Sequence, residues 1–133
     1  MKNYASFLFI YKYKININYI RYIYCFNMKP IIIYNSIITK YFNLDGLVLY
    51  PFILISEKKE NTQISTLKHA LIHFEQIKKY GVFYFYYTYL TYILKIWNET
   101  DDITRGFIEN EFEEEAYSRE NEPLTKEEHL LIN

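Results

Sequence analysis

The clearest pattern of hydrophobic and polar positions lies in residues 64–80. Apolar side chains recur there at spacings of three and four, the period of one helix face; they are Ile64, Leu67, Leu71, Phe74 and Ile77. Thr62 or Ser65 could cap the start of this helix, and Gly81 could end it. The pattern predicts an amphipathic helix with one side facing a core.

A strand-like segment precedes this helix. Residues 46–56 are rich in β-branched and aromatic side chains and open with an Asp-Gly pair, which is a turn signal. Pro51 removes a backbone donor inside the run, which predicts an edge strand or one strand broken by a bulge. Residues 57–62 are predicted to form a polar loop.

Residues 82–97 are apolar on nearly every side and carry one charge, at Lys95. They could form a buried helix, a helix lying in a membrane interface, or a short membrane insertion. A membrane span needs about 20 residues, which is more than this segment provides, and its Tyr and Trp side chains favour an interface or the edge of a core. We expect a buried helix that packs on the 64–80 helix.

A third helix is predicted over residues 103–120, after a polar loop at 98–102. Its outer side is acidic, and its apolar positions are Phe107, Ile108, Phe112 and Ala116. From residue 121 onward the chain is polar. We expect this last part to be frayed, apart from the apolar residues 130–132.

Residues 1–27 form a run of Tyr, Ile, Phe and Asn that is broken by Lys12, Lys14 and Arg21. No uninterrupted stretch of it approaches the ~18–20 apolar residues of a membrane span. No small-residue cleavage site follows an apolar core, so a secretory signal is not expected. The segment is either translated upstream sequence before a start at Met28 or a β-rich N-terminal extension.

Composition and charge narrow the function classes. A chain of 133 residues, half of them hydrophobic, fits one domain with a modest core. The net charge of -1 gives no reason to expect nucleic-acid binding. Basic residues dominate 1–56 and acidic residues dominate 98–133, which leaves contact with a membrane surface as an alternative. The single cysteine, Cys25, rules out an intrachain disulfide and favours a reducing, cytoplasmic compartment.

The candidate chemistry centres on His69 and His73, which lie four residues apart within the predicted 64–80 helix. This spacing puts both imidazoles on one helix face, as in the zinc-binding H-E-x-x-H motif. A tetrahedral catalytic site also needs a third protein ligand and an open position. Because such pairs also arise by chance, the third ligand decides between a zinc site and an incidental pair.

Glu113 is the main candidate for this third ligand. It lies in the acidic third helix, one turn before Ala116, whose small side chain would let that helix approach the histidines closely. His129 competes for the role, although it lies in the polar C-terminal part.

Four short motifs then occur in a recognisable order. They are Leu-Tyr-Pro-Phe-Ile-Leu-Ile at 49–55, His-x-x-x-His-x-x-Gln at 69–76, Gly-x-x-x-Phe-Tyr at 81–86 and Phe-Glu-x-Glu-Ala-Tyr-x-x-Glu at 112–120. Together they resemble a family of small uncharacterised bacterial proteins regarded as minimal zincin-like metallopeptidases. The resemblance covers residues 46–122 and none of residues 1–27.

The resemblance implies an α+β, minimal zincin-like fold in which a strand or hairpin packs on two to three helices. It divides the chain into an N-terminal extension at 1–27, a zincin-like domain at 28–122 and a polar tail at 123–133. It also implies a zinc ion bound by His69, His73 and Glu113. Further positions match the family motif, namely Gln76, Glu115, Ala116, Tyr117 and Glu120.

One position departs from the family pattern. Where H-E-x-x-H carries the Glu that takes a proton from a metal-bound water, this chain has Ala70. That Glu is not a metal ligand, but a general base contributes typically 10²–10⁴-fold to the rate. The expected function is therefore a degenerate zincin-like metallopeptidase that binds one zinc ion, is catalytically weak or inactive, and has no assigned catalytic residue.

Two alternatives remain open. One is a non-catalytic, membrane-associated protein that uses the aromatic helix 82–97. The other is an interaction module for an unknown peptide or protein partner, in which the His pair is incidental.

Overall fold

The computed structural model describes residues 28–133. The segment 1–27 lies outside the described residues, and both interpretations of it stay predictions. The helices and strands of the described part, in chain order, are β1 (Ile31–Ile33), α1 (Ile37–Tyr41), β2 (Gly46–Leu49), β3 (Phe52–Ile55), a 3₁₀ turn (Lys59–Asn61), α2 (Ile64–Tyr80), α3 (Val82–Thr100), α4 (Ile103–Ile108), α5 (Glu111–Arg119) and α6 (Lys126–Ile132).

The predicted α+β class is confirmed. A three-stranded sheet has the order β1-β3-β2, with β1 parallel and β2 antiparallel to the central strand β3. The sheet side chains Val48, Ile53 and Ile55 pack against one face of α2. The remaining buried members of this core are Leu67, Ala70, Leu71, Phe74, Ile77, Phe85 and Phe112.

The segment 46–56 forms two strands, so the prediction of one edge or bulged strand was wrong. β2 and β3 make a hairpin in which Val48 pairs with Ile53, and its turn contains the cis peptide bond Tyr50–Pro51. Proline has no N–H to donate to a ladder, and it is accommodated between the strands. Its carbonyl still accepts a hydrogen bond from Ile31 N–H at 3.0 Å, next to the β1–β3 pairing.

The helix α2 has the predicted bounds, and Gly81 ends it. Gly81 has φ of 92°, a backbone conformation that residues with a Cβ rarely adopt. Its N–H donates to the Ile77 carbonyl at 2.8 Å, and its carbonyl accepts from Phe85 N–H at 3.0 Å. One glycine therefore serves as the C-cap of α2 and the N-cap of α3.

The helix α3 is longer and more exposed than predicted. It runs to Thr100, and only Phe85 and Ile93 are buried, so the expectation of a buried helix was wrong. The reason is that α2, α4 and the sheet cover one side of an apolar helix and leave another side open. Within residues 28–133, no helix has the length and apolar character needed to cross a lipid bilayer.

The predicted helix 103–120 is two helices that meet at Asn110. The Asn110 side chain accepts from Phe112 N–H at 3.0 Å and so caps α5. Its amide also donates to the Tyr89 carbonyl at 3.4 Å. Before this break, α4 lies against α3 so closely that a Cβ on Gly106 would be 2.9 Å from Ile93 Cα.

The C-terminal part is an ordered helix, not a frayed tail. A capping box links Thr125 and Glu128 at the start of α6. Glu128 also forms a buried ion pair with Lys68 of α2, with both carboxylate oxygens 2.9 Å from Nζ. This pair fixes α6 to the helix that carries the histidines.

Candidate metal centre

The helix α2 presents His69 and His73 on the same face. At 3.6 residues per turn, a spacing of four places the two imidazoles one above the other. Their ring centroids are 4.8 Å apart, His73 is buried, and His69 is half-buried. The sequence-based prediction of a shared helix face is therefore confirmed.

The carboxylate of Glu113 reaches this face from α5. Glu113 is buried and lies in the first turn of α5, whose start is fixed by the Asn110 cap. Ala116, one turn further on, is fully buried. Its small side chain fits the close approach of α5 to α2 that the sequence predicted.

The three side chains meet at short distances. Glu113 Oε2 lies 3.1 Å from His69 Nε2, and Glu113 Oε1 lies 3.1 Å from His73 Nε2. The two Nε2 atoms are also 3.1 Å apart. Donors held ~2.0–2.1 Å from a tetrahedral zinc ion lie about 3.3 Å from one another. Each imidazole therefore meets a different oxygen of one carboxylate, and one donor atom from each of the three residues lies within 4.8 Å of the others, a group compact enough to hold a metal ion.

Two further residues hold the imidazoles in a metal-binding orientation. Gln76 donates through Nε2 to the Phe112 carbonyl and to Glu115, both at 3.0 Å, so its Oε1 is left to accept from His73 Nδ1 at 2.8 Å. Glu120 Oε2 accepts from His69 Nδ1 at 2.9 Å. In the neutral tautomers that donate from Nδ1, each Nε2 beside Glu113 is left free to act as a metal ligand.

Tyr89 of α3 completes the surroundings of the carboxylate. Its hydroxyl donates to Glu113 Oε1 in a very short hydrogen bond. The ring of Tyr117 lies edge-on to His69, with centroids 4.7 Å apart. The site thus receives side chains from α2, α3 and α5, and it can form only when these three helices are packed together.

The charges in the site are matched. Burial raises the pKa of a carboxyl, but His69 and His73 together hold the pKa of Glu113 well below its usual range. Burial alone would lower the pKa of His69, yet Glu113 and Glu120 bring it above its ordinary value. Burial and the Glu113 carboxylate raise the pKa of Tyr89, which stays a hydrogen-bond donor. The Glu113 carboxylate therefore favours positive charge at the two imidazoles, whether a proton or a metal cation carries it.

The general base of the H-E-x-x-H motif is missing, and nearby carboxylates are engaged elsewhere. Ala70 is 4% exposed and belongs to the apolar core. Glu75 is exposed and pairs with Arg119, which also pairs with Glu115. Glu114 is exposed.

His129, the competing third ligand, is exposed on α6. Among the described residues, the one group of three His, Cys, Asp or Glu side chains that could hold a metal ion is His69, His73 and Glu113.

Sequence reasoning from the residues alone assigned no role to Glu120 or Tyr89. Glu120 matched the family motif, and its distance from Glu113, seven residues or two helical turns, already placed it on the same side of an acidic helix. Tyr89 had no comparable signal, because it is one of many aromatic residues in its segment.

The interpretation of the site rests on the geometry of these side chains. Comparison of the chain with models of protein families, with curated proteins and with solved structures gave no match.

Proposed function

We propose that this chain is a degenerate zincin-like metallopeptidase that binds one Zn²⁺ through His69, His73 and Glu113 and is catalytically weak or inactive. One observation carries the proposal: two imidazole Nε2 atoms and one carboxylate converge with mutual distances of 3.1 Å. The zincin-like part of the proposal rests on the resemblance of the four sequence motifs to that family.

Zinc is the metal that this donor set favours. Two neutral imidazoles and one carboxylate are the His₂Glu ligands of catalytic zinc sites, which leave a fourth position open. Hydrogen bonds from the outer nitrogens to Gln76 and Glu120 are the usual support of zinc-bound histidines. When bound, the ion would supply a polarised water or carbonyl oxygen at the open position.

The low activity follows from Ala70. The side chain at this position lacks any group that accepts a proton, and the neighbouring Glu75 faces solvent. A missing general base lowers the rate typically 10²–10⁴-fold, whereas metal affinity does not depend on it. We therefore propose that metal binding has outlasted peptide hydrolysis, and that the chain acts on or binds an unknown peptide or protein in the cytoplasm.

Metal analysis of the purified full chain tests the zinc site. We expect about one Zn²⁺ per chain, and a chelator-treated sample that regains roughly 10 °C of melting temperature when zinc is added at about 100 times its Kd. His69→Ala, His73→Ala and Glu113→Ala should each lose both effects.

His129→Ala is the matched control, because it removes the histidine that is exposed on α6 and should change neither the zinc content nor the thermal shift. Zinc that stays with all three ligand variants, or leaves with His129→Ala, would contradict the ligand assignment. A metal-loaded native chain that hydrolyses a mixed-peptide library efficiently would contradict the inactive reading.

A further inference from the structure

A stripe of large apolar side chains runs along the open side of α3. Its members are between 47% and 91% exposed. We call this stripe the outer seam, and it consists of Phe83, Tyr87, Leu90, Leu94 and Trp97. Another side of the same helix, with Phe85, Tyr89 and Ile93, packs against the rest of the protein. An apolar helix that is covered on one side only leaves hydrophobic surface in water.

The spacing of the outer seam is that of a helix–helix contact. Successive members are four, three, four and three residues apart, the a/d repeat of coiled coils. At 100° per residue the five side chains lie within an arc of about 80°, which is narrower than the ≳100° stripe of an ordinary surface helix. Thr91, Lys95 and Asn98 border the seam on one side, where Tyr84 is also exposed.

We infer that the outer seam is a self-association surface, on which α3 of a second copy of this chain packs antiparallel about a two-fold axis at Leu90. Phe83 and Trp97 each lie seven residues from Leu90, and Tyr87 and Leu94 lie three and four residues from it, so the two halves of the seam nearly match when one copy is reversed. Phe83 of one copy faces Trp97 of the other, Tyr87 faces Leu94, and Leu90 faces its own equivalent. Such self-complementarity is what a two-fold symmetric interface requires.

The area is sufficient for a stable pair. With side-chain areas of roughly 150–250 Å² each, the exposed fractions leave about 600 Å² of apolar surface on each copy. Complete burial of the seam on both copies would remove about 1,200 Å² in all from water, which reaches the lower bound of specific protein interfaces. The packed side of α3, with Tyr89, stays turned to the metal centre, so pairing does not depend on the proposed function.

The charge around the seam favours a protein partner over a lipid surface. Helices that lie in a membrane interface carry several Lys or Arg residues on their polar face. Within α3 the only basic residue is Lys95, and Glu99, Asp101 and Asp102 surround the C-terminal end. An anionic lipid surface would meet more negative than positive charge here.

Sedimentation equilibrium of the native full chain tests this inference. We expect a monomer–dimer equilibrium in the micromolar range or tighter. Leu90→Glu and Leu90→Arg each place two like charges on the two-fold axis, and each should weaken the dimer by about 100-fold or more. An equimolar mixture of these two variants should regain the dimer, because opposite charges then meet.

Leu130→Glu is the matched control, since Leu130 is 80% exposed on α6 and lies outside the seam. It should dimerise like the native chain. Far-UV circular dichroism and zinc content of both Leu90 variants should equal those of the native chain, which separates lost pairing from lost folding.

A native chain that is still monomeric at a concentration 100-fold above micromolar would overturn the inference. So would a dimer that survives Leu90→Glu, or one that the mixture of Leu90→Glu and Leu90→Arg fails to restore. Co-flotation of the native chain, but not of Leu90→Glu, with phosphatidylserine vesicles would assign the seam to a membrane surface instead and would also overturn it.

Discussion

The Nε2 atoms of His69 and His73 face each other at 3.1 Å, and in the neutral tautomers that donate from Nδ1 to Glu120 and Gln76 neither Nε2 has a hydrogen. Two lone pairs at this distance repel unless a proton or a cation lies between them. Burial lowers the pKa of His69, but Glu113 and Glu120 outweigh it and raise the pKa above its ordinary value, which favours a proton on this imidazole. A divalent cation would satisfy the same arrangement with more charge.

The orienting residues should matter for metal affinity although they would not touch the metal. Gln76→Ala or Glu120→Ala removes the acceptor for one Nδ1 and frees that imidazole to turn. We expect zinc affinity to fall roughly 10–100-fold in each variant. Competition with a chromophoric chelator measures this.

Glu122→Ala is the control for this prediction, because Glu122 is exposed and its Oε2 lies 3.6 Å from Arg119 Nε, so the carboxylate pairs with an arginine and not with a histidine. Equal affinity in Glu120→Ala and the native chain would show that the hydrogen bond to His69 has no part in holding a metal.

Restoring the general base should raise peptide hydrolysis. Ala70→Glu places a carboxylate next to His69, and with zinc bound we expect activity at least about 10²-fold above the native chain. Ala70→Gln is nearly the same size but accepts no proton, and it should stay inactive. Rates on a mixed-peptide library, compared between the two variants, isolate the effect of the proton acceptor. Equal rates would mean that no substrate groove survives.

Both Ala70 variants should also lose stability. The position is 4% exposed within the apolar core, so a longer polar side chain must be buried or must displace its neighbours. We expect a loss of roughly 1–3 kcal/mol in urea unfolding, and a similar loss in the two variants. A much larger loss in Ala70→Glu than in Ala70→Gln would show that the new carboxylate is buried away from any metal.

The Lys68–Glu128 pair predicts a pH dependence of folding. Burial raises the pKa of Glu128, but Lys68 and the Thr125 N–H lower it below the ordinary value. A lowered pKa contributes stability that is present above the unfolded value of about 4.3 and is lost as pH falls through the folded value. At pH 7, Glu128→Ala should cost roughly 3–5 kcal/mol, because it leaves Lys68 buried without a partner.

Urea unfolding at pH 7 and pH 3 measures this effect. The difference between the native chain and Glu128→Ala should shrink at pH 3, which lies below the unfolded value of about 4.3, because the stability from the lowered pKa is lost as the pH falls. Glu127→Ala, at the exposed neighbouring position, should differ little from the native chain at either pH. A difference that is the same at both pH values would contradict a role for the charge.

A chain that starts at Met28 should fold and bind zinc like the full chain. It contains the three strands found among residues 28–133, the core side chains from Val48 to Phe112 and the three candidate ligands. We expect its melting temperature to lie within a few degrees of that of the full chain, as measured by circular dichroism. A large decrease would show that residues 1–27 contribute to the core.

Periodicity predicted α2 well because one face of that helix is apolar and another is polar. The same reasoning failed for α3, whose side chains are apolar on several faces, so the pattern could not tell a covered face from an open one. The break at Asn110 had a readable signal, because Asn110 and Glu113 have the spacing of a helix N-cap and its third residue. The helix break was nevertheless missed, because acidic and apolar positions continue on both sides of Asn110.

Part of the site was also predictable, because it depends on the spacing of residues within one helix. The spacing of His69 and His73 fixes their relative position within one helix, and a local pattern suffices for that. Glu113 could be proposed from its acidic helix and the small Ala116, and the family motif also indicated it, but its approach to the histidines depends on how α2 and α5 pack. α6 docks through the Lys68–Glu128 ion pair, whose partners are 60 positions apart, and through Leu131 and Ile132, and these long-range contacts leave no periodic trace in the sequence.

The candidate ligands His69 and Glu113 are separated by 44 positions, and the segment between them contains all of α3 and α4. A cation held by both would close this segment into a loop, much as a covalent cross-link does, and would deny the unfolded chain the conformations in which the loop is open. In the unfolded chain the two histidines remain neighbours but the carboxylate is distant, so the metal would bind that state weakly. The melting temperature would therefore report the free zinc concentration.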